Sequence, residues 1–172
     1  SMTELLNANS FSYQLSLTDG TLFLDIVLDT EAPLLSFLAA SPAEATNQDV
    51  TVTAIFTDNV GVASTQYRID SGAWQDYEDG VVMTANGTVD FQATDAAGNV
   101  SDIASYIVTN IDKTAPTITD IGADITTPTN SDVLVTATFA DDVALASQEF
   151  KIGDGEWTAY TSGAGVTSKA TL

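Results

Sequence analysis

Aspartate and asparagine side chains recur in the predicted loops of this chain at positions from which several could bind one cation. Carboxylate and amide oxygens in flexible loops suit Ca²⁺, which takes six to eight oxygen ligands, better than Mg²⁺, which demands stricter octahedral order. The alternative is that these residues form Asx turns and bind no metal. The predicted metal ligands are Asp29, Asp58, Asn59, Asp95 and Asn99 in a first set, with Glu31 beside Asp29, and Asp112, Asp141 and Asp142 in a second set.

The composition narrows the chemistry that the chain can perform. It has 172 residues, no cysteine and no histidine, so thiol catalysis, Ser-His catalysis and the usual zinc sites are excluded. Its 24 acidic and 4 basic residues give a net charge of −20, which repels nucleic acids and anionic membranes and attracts cations. No transmembrane run is present, and we expect no membrane insertion. Ser1-Met2 is typical of a cloning scar, so we expect the chain to belong to a longer protein.

The segments that position these acidic residues occur as an internal repeat in the sequence. "DTEAP" at 29–33 returns as "DKTAP" at 112–116, and the same shift of 83 residues relates "VTAIFTD" at 52–58 to "VTATFAD" at 135–141. Between 29–89 and 112–172 no gap is needed, and 23 of 61 positions are identical. A period of this length fits a small β-sandwich better than a solenoid repeat.

The strands of the first copy are predicted from their alternation of apolar and polar residues. Segment 49–57 places Val50, Val52, Ala54 and Phe56 on one face, and segment 87–95 places Val89, Phe91 and Ala93 inward. Segments 64–70 and 103–110 are two further predicted strands. In such a sandwich the segment around Asp29, the loop after 57 and the loop after 95 meet at one end, which would bring the first set of acids together.

Three segments make up the predicted domain organisation. Residues 1–28 are expected to be the remnant of an upstream domain, a β-hairpin around Asp19-Gly20. Residues 29–111 form the first predicted sandwich and residues 112–172 the second. The second copy lacks counterparts of residues 90–111, the last two strands of the first. The hairpin could supply such strands to another molecule, giving a strand-swapped or head-to-tail association.

A repeated aromatic phrase allows two interpretations. "YRIDSGAWQDY" at 67–77 returns as "FKIGDGEWTAY" at 150–160. Either Trp74 fills the core while Tyr77 and Arg68 cover its edge, or Trp74 and Trp157 form an exposed platform for a glycan.

The phrases "DNVGVAS", "DAAGNVS" and "DKTAP" resemble the bacterial immunoglobulin-like repeats of large surface proteins, in particular adhesins with AIDA-type repeats. The resemblance implies an all-β fold of tandem immunoglobulin-like β-sandwiches, the second truncated, preceded by a β-hairpin. It also implies an extracellular or bacterial cell-surface location, a structural or adhesive role and no catalysis.

The function predicted from the sequence is therefore a non-catalytic stalk or adhesion module whose tandem domains are stiffened by calcium. Its expected partners are neighbouring immunoglobulin-like domains of the same protein and a host glycan or protein, and not nucleic acid. Related phrases also occur in secreted glycosidases, so the alternative is a glycan- or protein-binding accessory module of a secreted enzyme. An enzyme using paired carboxylates is disfavoured because the acids lie at loop ends rather than in a deep cleft.

Overall fold

The computed structural model describes residues 11–166, and within them the side chains of residues 15–24 and 28–163. The described chain is all-β, as predicted, and its strands pair antiparallel within each sheet. It contains no helix long and apolar enough to cross a membrane. Contacts between Cα atoms divide the chain into two compact units, unit 1 (Ser1–Asp112) and unit 2 (Lys113–Leu172).

The predicted hairpin at the start of unit 1 is confirmed. Strands β1 (Phe11–Thr18) and β2 (Thr21–Leu28) pair in continuous register from Phe11 opposite Leu28 to Thr18 opposite Thr21. Asp19 and Gly20 form the two-residue turn with positive φ angles of 50° and 76°. Aspartate and glycine tolerate these angles, which match the twist of the two strands.

The remainder of unit 1 is a sandwich of two antiparallel sheets. One sheet has the order β3-β4-β7 and the other the order β6-β5-β8-β9. The chain therefore changes sheets between β4 and β5, and again between β6 and β7 and between β7 and β8. The strands are β3 (Leu34–Ser41), β4 (Val50–Thr57), β5 (Val62–Ile69), β6 (Gln75–Asp76), β7 (Val81–Met83), β8 (Gly87–Asp95) and β9 (Ala104–Val108).

The core of unit 1 lies between these sheets and follows the predicted alternation. In β4 every second residue from Val50 to Phe56 is buried, and in β8 Val89, Phe91 and Ala93 are buried. Val108 of β9 and Met83 of β7 belong to the same buried cluster. Because both sheets contribute to one cluster, apolar burial fixes their face-to-face packing.

Unit 2 repeats the first part of this sandwich. Strands β10, β11 and β14 form one sheet, and β12 and β13 form another. Their bounds are β10 (Thr117–Ala123), β11 (Val133–Ala140), β12 (Glu149–Phe150), β13 (Thr158–Ala159) and β14 (Ala164–Val166).

The two units share a tyrosine whose hydroxyl forms a hydrogen bond with the backbone in the middle of a strand. The hydroxyl of Tyr77 accepts a hydrogen bond from the backbone N–H of Ala54 at 3.0 Å, and that of Tyr160 accepts one from Ala137 at 3.0 Å. These residue pairs are related by the 83-residue shift. Tyr77 is buried and packs edge-on against Phe91, with ring centroids 5.1 Å apart.

The prediction that Trp74 fills the core was therefore wrong, because Tyr77 holds that position. Trp74 is half-buried, and the Arg68 guanidinium lies 4.6 Å from the centre of its ring. Trp74 and Tyr77 are three positions apart, so in an extended chain the two rings point to opposite faces and only one can enter the core.

Candidate metal centre

Three aspartates that are far apart in the sequence meet at one end of unit 1. Asp29 directly follows β2, Asp58 directly follows β4, and Asp95 is the last residue of β8. One carboxylate oxygen from each lies within 4.8 Å of those of the other two. β4 and β8 belong to different sheets, so it is the packing of the sandwich that brings the second and third aspartates together. The structure thus joins three residues of the first predicted set.

Asn99 holds the Asp95 carboxylate in place. The backbone N–H of Asn99 donates to Asp95 Oδ1 at 2.8 Å, and its side-chain amide donates to Asp95 Oδ2, also at 2.8 Å. The same side-chain amide donates to the backbone carbonyl of Asp29 at 3.4 Å. Asn99 therefore connects the segment that precedes the sandwich to the loop that follows β8.

These bonds also set the charge state of Asp95. Burial raises the pKa of this carboxyl, but the hydrogen bonds from the Asn99 side chain and backbone and from the N–H groups of Gly98 and Ala97 outweigh burial and lower the pKa below its usual value. Asp95 is thus an anion at neutral pH although only 3% of it is exposed.

Asp58 and Asp29 each have one satisfied and one unsatisfied oxygen. Asp58 Oδ2 accepts from the N–H groups of Val60 and Gly61 at 2.9 Å and 2.8 Å, which makes an Asx turn. Asp29 Oδ1 accepts from the N–H of Glu31 at 3.2 Å. Asp58 Oδ1 and Asp29 Oδ2 are buried and have no hydrogen-bond partner in the described structure.

Unpaired carboxylate oxygens are an unfavourable arrangement unless a cation lies among them. A buried acceptor without a partner loses its hydration and gains nothing in return, and like charges at this separation repel. Asp29 is only 6% exposed, so bulk water cannot compensate its second oxygen. Three oxygen donors with no nitrogen or sulfur donor fit a hard cation such as Ca²⁺. Asp29, Asp58 and Asp95 are the side chains that would hold it.

Asn59, Asn99 and Glu31 have different surroundings from these three residues. Asn59 and Glu31 are exposed, and with Asp58 they line a shallow depression of about 150 Å³ at the surface. Asn99 points its amide nitrogen, rather than its oxygen, at Asp95 and Asp29. Asn99 therefore positions two of the candidate ligands, a role that the spacing of residues did not predict.

The second predicted set is divided between the units. In unit 2, Asp141 Oδ1 accepts from the N–H groups of Val143 and Ala144, each at 3.1 Å, which repeats the Asx turn of Asp58. Asp142 Oδ2 accepts from the Thr114 hydroxyl at 3.2 Å. Asp112 is the last residue of unit 1, where its N–H donates to the carbonyl of Thr46 at 2.8 Å. Calcium binding by this set stays a prediction.

A polar cluster that the sequence analysis did not predict lies in the β5–β8–β9 sheet. Asp90 Oδ2 accepts from Arg68 Nε at 2.9 Å, and Asp90 Oδ1 accepts from the Ser105 hydroxyl at 2.6 Å. The Ser105 bond and the Arg68 charge lower the pKa of Asp90 against the effect of burial. The sequence signal was the placement of opposite charges at directly paired positions of neighbouring strands, Arg68 opposite Asp90.

The tryptophans do not share one environment. Trp157 is 62% exposed, and the Lys151 ammonium lies 5.3 Å from its ring centre. Trp74 is half-buried beneath Arg68. Each ring thus carries a cation on one face, which leaves less aromatic surface for a ligand.

Comparison with known proteins gives partial relatives. No known family and no solved structure matches the chain. It is 38% identical over 80 residues to a PII-type proteinase of Lacticaseibacillus paracasei and 37% identical over 84 residues to a PII-type proteinase of Lactococcus lactis subsp. cremoris. These matches cover 43% and 46% of this chain but only 4% of each relative. The chain therefore shares one short module with much larger bacterial proteins, and this similarity suggests a module of a surface or secreted protein.

Proposed function

We propose that this chain is a structural module of a bacterial surface or secreted protein and that unit 1 is stabilised by Ca²⁺ bound to Asp29, Asp58 and Asp95. The observation that carries the proposal is the pair of buried, unpartnered oxygens, Asp29 Oδ2 and Asp58 Oδ1, beside the anionic Asp95. A cation there would link the segment before the sandwich to the loops after β4 and β8.

This link suits a module that must transmit force along a chain. Asp29 lies directly after the hairpin, so an ion that holds it also fixes where the hairpin leaves the sandwich. Tandem modules of this kind would form a stalk that projects an adhesive region from the cell. The resemblance to repeats of AIDA-type adhesins and the partial similarity to large bacterial proteinases both support an extracellular location. Neighbouring domains of the same protein and a host glycan or protein are the proposed partners.

The test is thermal unfolding of the whole chain in calcium and in chelator. Bound Ca²⁺ at 100 times its dissociation constant contributes about 2.7 kcal/mol, which corresponds to an increase in Tm of roughly 10–20 °C for a domain of this size. Asp29→Asn should abolish the increase, whereas Asp76→Asn, which removes the same charge from an exposed position, should retain it. Equal Tm values for the unsubstituted chain in calcium and in chelator would refute the calcium proposal.

A second candidate function is a binding module within a secreted enzyme. The partial relatives are proteinases, and the 62% exposure of Trp157 leaves part of an aromatic side chain accessible in unit 2. Quenching of Trp157 fluorescence by acrylamide in a Trp74→Phe chain, measured with and without an array of glycans, tests this candidate. Protection of Trp157 by a glycan would favour it over the stalk.

A further inference from the structure

The segment through which the chain leaves unit 1, residues 110–112, is fastened to the sandwich although it lies beyond β9. The N–H of Thr46 donates to the carbonyl of Asn110 at 2.9 Å, and the N–H of Asp112 donates to the carbonyl of Thr46 at 2.8 Å. Thr46 and Ile111 thereby form a parallel β-bridge. The Ile111 side chain belongs to the core cluster and is only 7% exposed. This exit segment is therefore part of the folded body of unit 1.

The side chain of Asn86 takes the place of a neighbouring strand for Ile111. Its amide oxygen accepts from the N–H of Ile111 at 2.9 Å, and its amide nitrogen donates to the carbonyl of Ile111, also at 2.9 Å. An asparagine amide carries both an acceptor and donors, so one planar group can satisfy both backbone groups of a single residue. Asn86 directly precedes β8, and its two bonds therefore attach the exit segment to an inner strand of its sheet.

The side chain of Asn110 attaches the exit segment to the loop between β3 and β4. Its amide nitrogen donates to the carbonyl of Pro42 at 3.0 Å and to the carbonyl of Glu44 at 2.8 Å. We call Asn86, Asn110 and Thr46 the amide clamp. Its six hydrogen bonds act on three consecutive residues, 110–112.

The segment through which the chain enters the sandwich, residues 29–33, is fastened differently. The side-chain amide of Asn99 donates to the carbonyl of Asp29 at 3.4 Å, and Pro33 is fully buried. Within residues 28–163, no other hydrogen bond joins this entry segment to the rest of unit 1. The entry segment does contain Asp29, one of the three candidate calcium ligands. An ion would thus fasten the entry, whereas hydrogen bonds alone fasten the exit.

The entry and the exit lie at opposite ends of β4. Asp29 lies beside Asp58, which directly follows β4, whereas Asp112 bonds to Thr46, which precedes β4. The eight residues of β4 span about 25 Å. Tension along the chain therefore acts across the whole of unit 1. Each asparagine amide of the clamp holds two bonds, so detaching the exit segment breaks bonds in pairs rather than one at a time.

We propose that the amide clamp holds the exit of unit 1 against tension whether or not calcium is bound, so that calcium regulates only the entry. Without calcium the entry segment yields first, while residues 110–112 stay attached to β8 and to the loop between β3 and β4. The importance of tension rests on the proposed stalk function, and the control of the entry rests on the proposed calcium site. The clamp itself consists of hydrogen bonds that need no ion.

The experiment pulls the 172-residue chain at constant force through pairs of introduced cysteines. The chain has no cysteine of its own, so each pair defines the path of the force. Thr30→Cys with Ser64→Cys loads the entry, and Ser64→Cys with Lys113→Cys loads the exit. Ser64 is an exposed residue of β5. Complete unfolding lengthens the chain by about 120 Å through the entry pair and about 170 Å through the exit pair, which identifies each event.

The clamp is tested by Asn86→Ala combined with Asn110→Ala, which removes its side-chain bonds. We expect rupture through the exit pair to become at least about tenfold faster, both in calcium and in chelator, and rupture through the entry pair to keep its rate. Asn47→Ala, at an exposed position next to Thr46, is the matched control and should change neither rate. Calcium should slow rupture through the entry pair and leave the exit pair unchanged.

The two force paths separate the clamp from the calcium site. An unchanged rate through the exit pair would overturn the clamp, and so would equal acceleration through both pairs, because a general loss of stability accelerates both. Calcium dependence of the exit pair would also overturn it. If calcium has no effect on the entry pair while the double variant still accelerates the exit pair, the calcium site is refuted and the clamp is retained.

A single substitution provides a milder test should the double variant fail to fold. Asn86→Asp keeps the acceptor for the N–H of Ile111 but places a carboxylate oxygen against the carbonyl of Ile111, where the amide donated a bond. We expect rupture through the exit pair to become several-fold faster, with no change through the entry pair. An exit rate equal to that of the unsubstituted chain would exclude Asn86 from the clamp and overturn the proposal.

Discussion

The side-chain amide of Asn99 donates to Asp95 Oδ2 at 2.8 Å, while the backbone N–H of Asn99 donates to the other oxygen of the same carboxylate. One residue thus fixes both oxygens of a buried anion and leaves its remaining lone pairs available to a cation. Because the same amide reaches the carbonyl of Asp29, two of the three candidate ligands are oriented before any ion binds. Such preorganisation lowers the cost of binding.

Substitution of Asn99 tests this role. Asn99→Ala removes the side-chain bonds but retains the backbone bond, so we expect calcium affinity to fall about tenfold, as for loss of an outer-shell partner. Titration calorimetry measures the affinity. Asn59→Ala, at an exposed neighbour of Asp58, is the matched control. If Asn59→Ala weakens binding more than Asn99→Ala, Asn59 is the ligand and Asn99 is not the organising residue.

Substitution of Asp58 tests calcium binding separately from the stability of the calcium-free protein. Asp58→Asn can keep the Asx turn through its amide oxygen, while its NH₂ group replaces the unpartnered Oδ1 and can donate towards Asp29 and Asp95. We therefore expect this variant to unfold in chelator about 5 °C above the unsubstituted chain and to gain nothing from calcium. Asp76→Asn should leave both Tm values unchanged. Destabilisation of the Asp58→Asn variant in chelator would mean that the three carboxylates do not repel one another in the free protein.

The alternation of buried and exposed residues within the strands and the location of the three aspartates were predictable from the sequence. Val50, Val52, Ala54 and Phe56 are all apolar, whereas two of the three residues between them are threonines, and a period of two has a single inward face. The connectivity of a sandwich then brings the segment after β2 and the loops after β4 and β8 to one end. Composition and topology together therefore predicted that Asp29, Asp58 and Asp95 would meet.

The orientation of individual side chains was not predictable in the same way. The sequence does not show whether Asn99 presents its oxygen or its nitrogen, because that depends on which acceptors the fold places around it. Nor does the spacing of Trp74 and Tyr77 show which ring faces the core. Tyr77 does so because its hydroxyl finds the N–H of Ala54, a partner that exists only once β4 and β6 have packed.

Acid should destabilise unit 1 through two carboxylates. The pKa values of Asp90 and Asp95 are lowered in the folded protein, so the unfolded chain binds protons at higher pH than the folded chain does. Their contribution to stability is complete above the unfolded pKa of about 3.9 and is lost as the pH falls through the lowered folded values. Urea unfolding at several pH values between 6 and 2 in chelator measures this loss.

The variant Ser105→Ala tests whether Asp90 contributes to that pH dependence. Ser105→Ala removes the bond that contributes most to lowering the pKa of Asp90, so the decrease in unfolding free energy on acidification should become shallower. Ser64→Ala, an exposed position in β5, should leave the slope unchanged. A slope that is identical in Ser105→Ala and the unsubstituted chain would contradict the assignment.

The two tyrosines provide a comparison of the units within one chain. Tyr77→Phe leaves the buried N–H of Ala54 without a partner, which should cost about 1–3 kcal/mol of the free energy of unfolding of unit 1. Tyr160→Phe removes the same bond to Ala137, but Tyr160 is half-buried and water can replace its hydroxyl, so a smaller cost is expected for unit 2. Each unit contains one tryptophan, so Trp157→Phe and Trp74→Phe backgrounds report the unfolding of unit 1 and unit 2 separately.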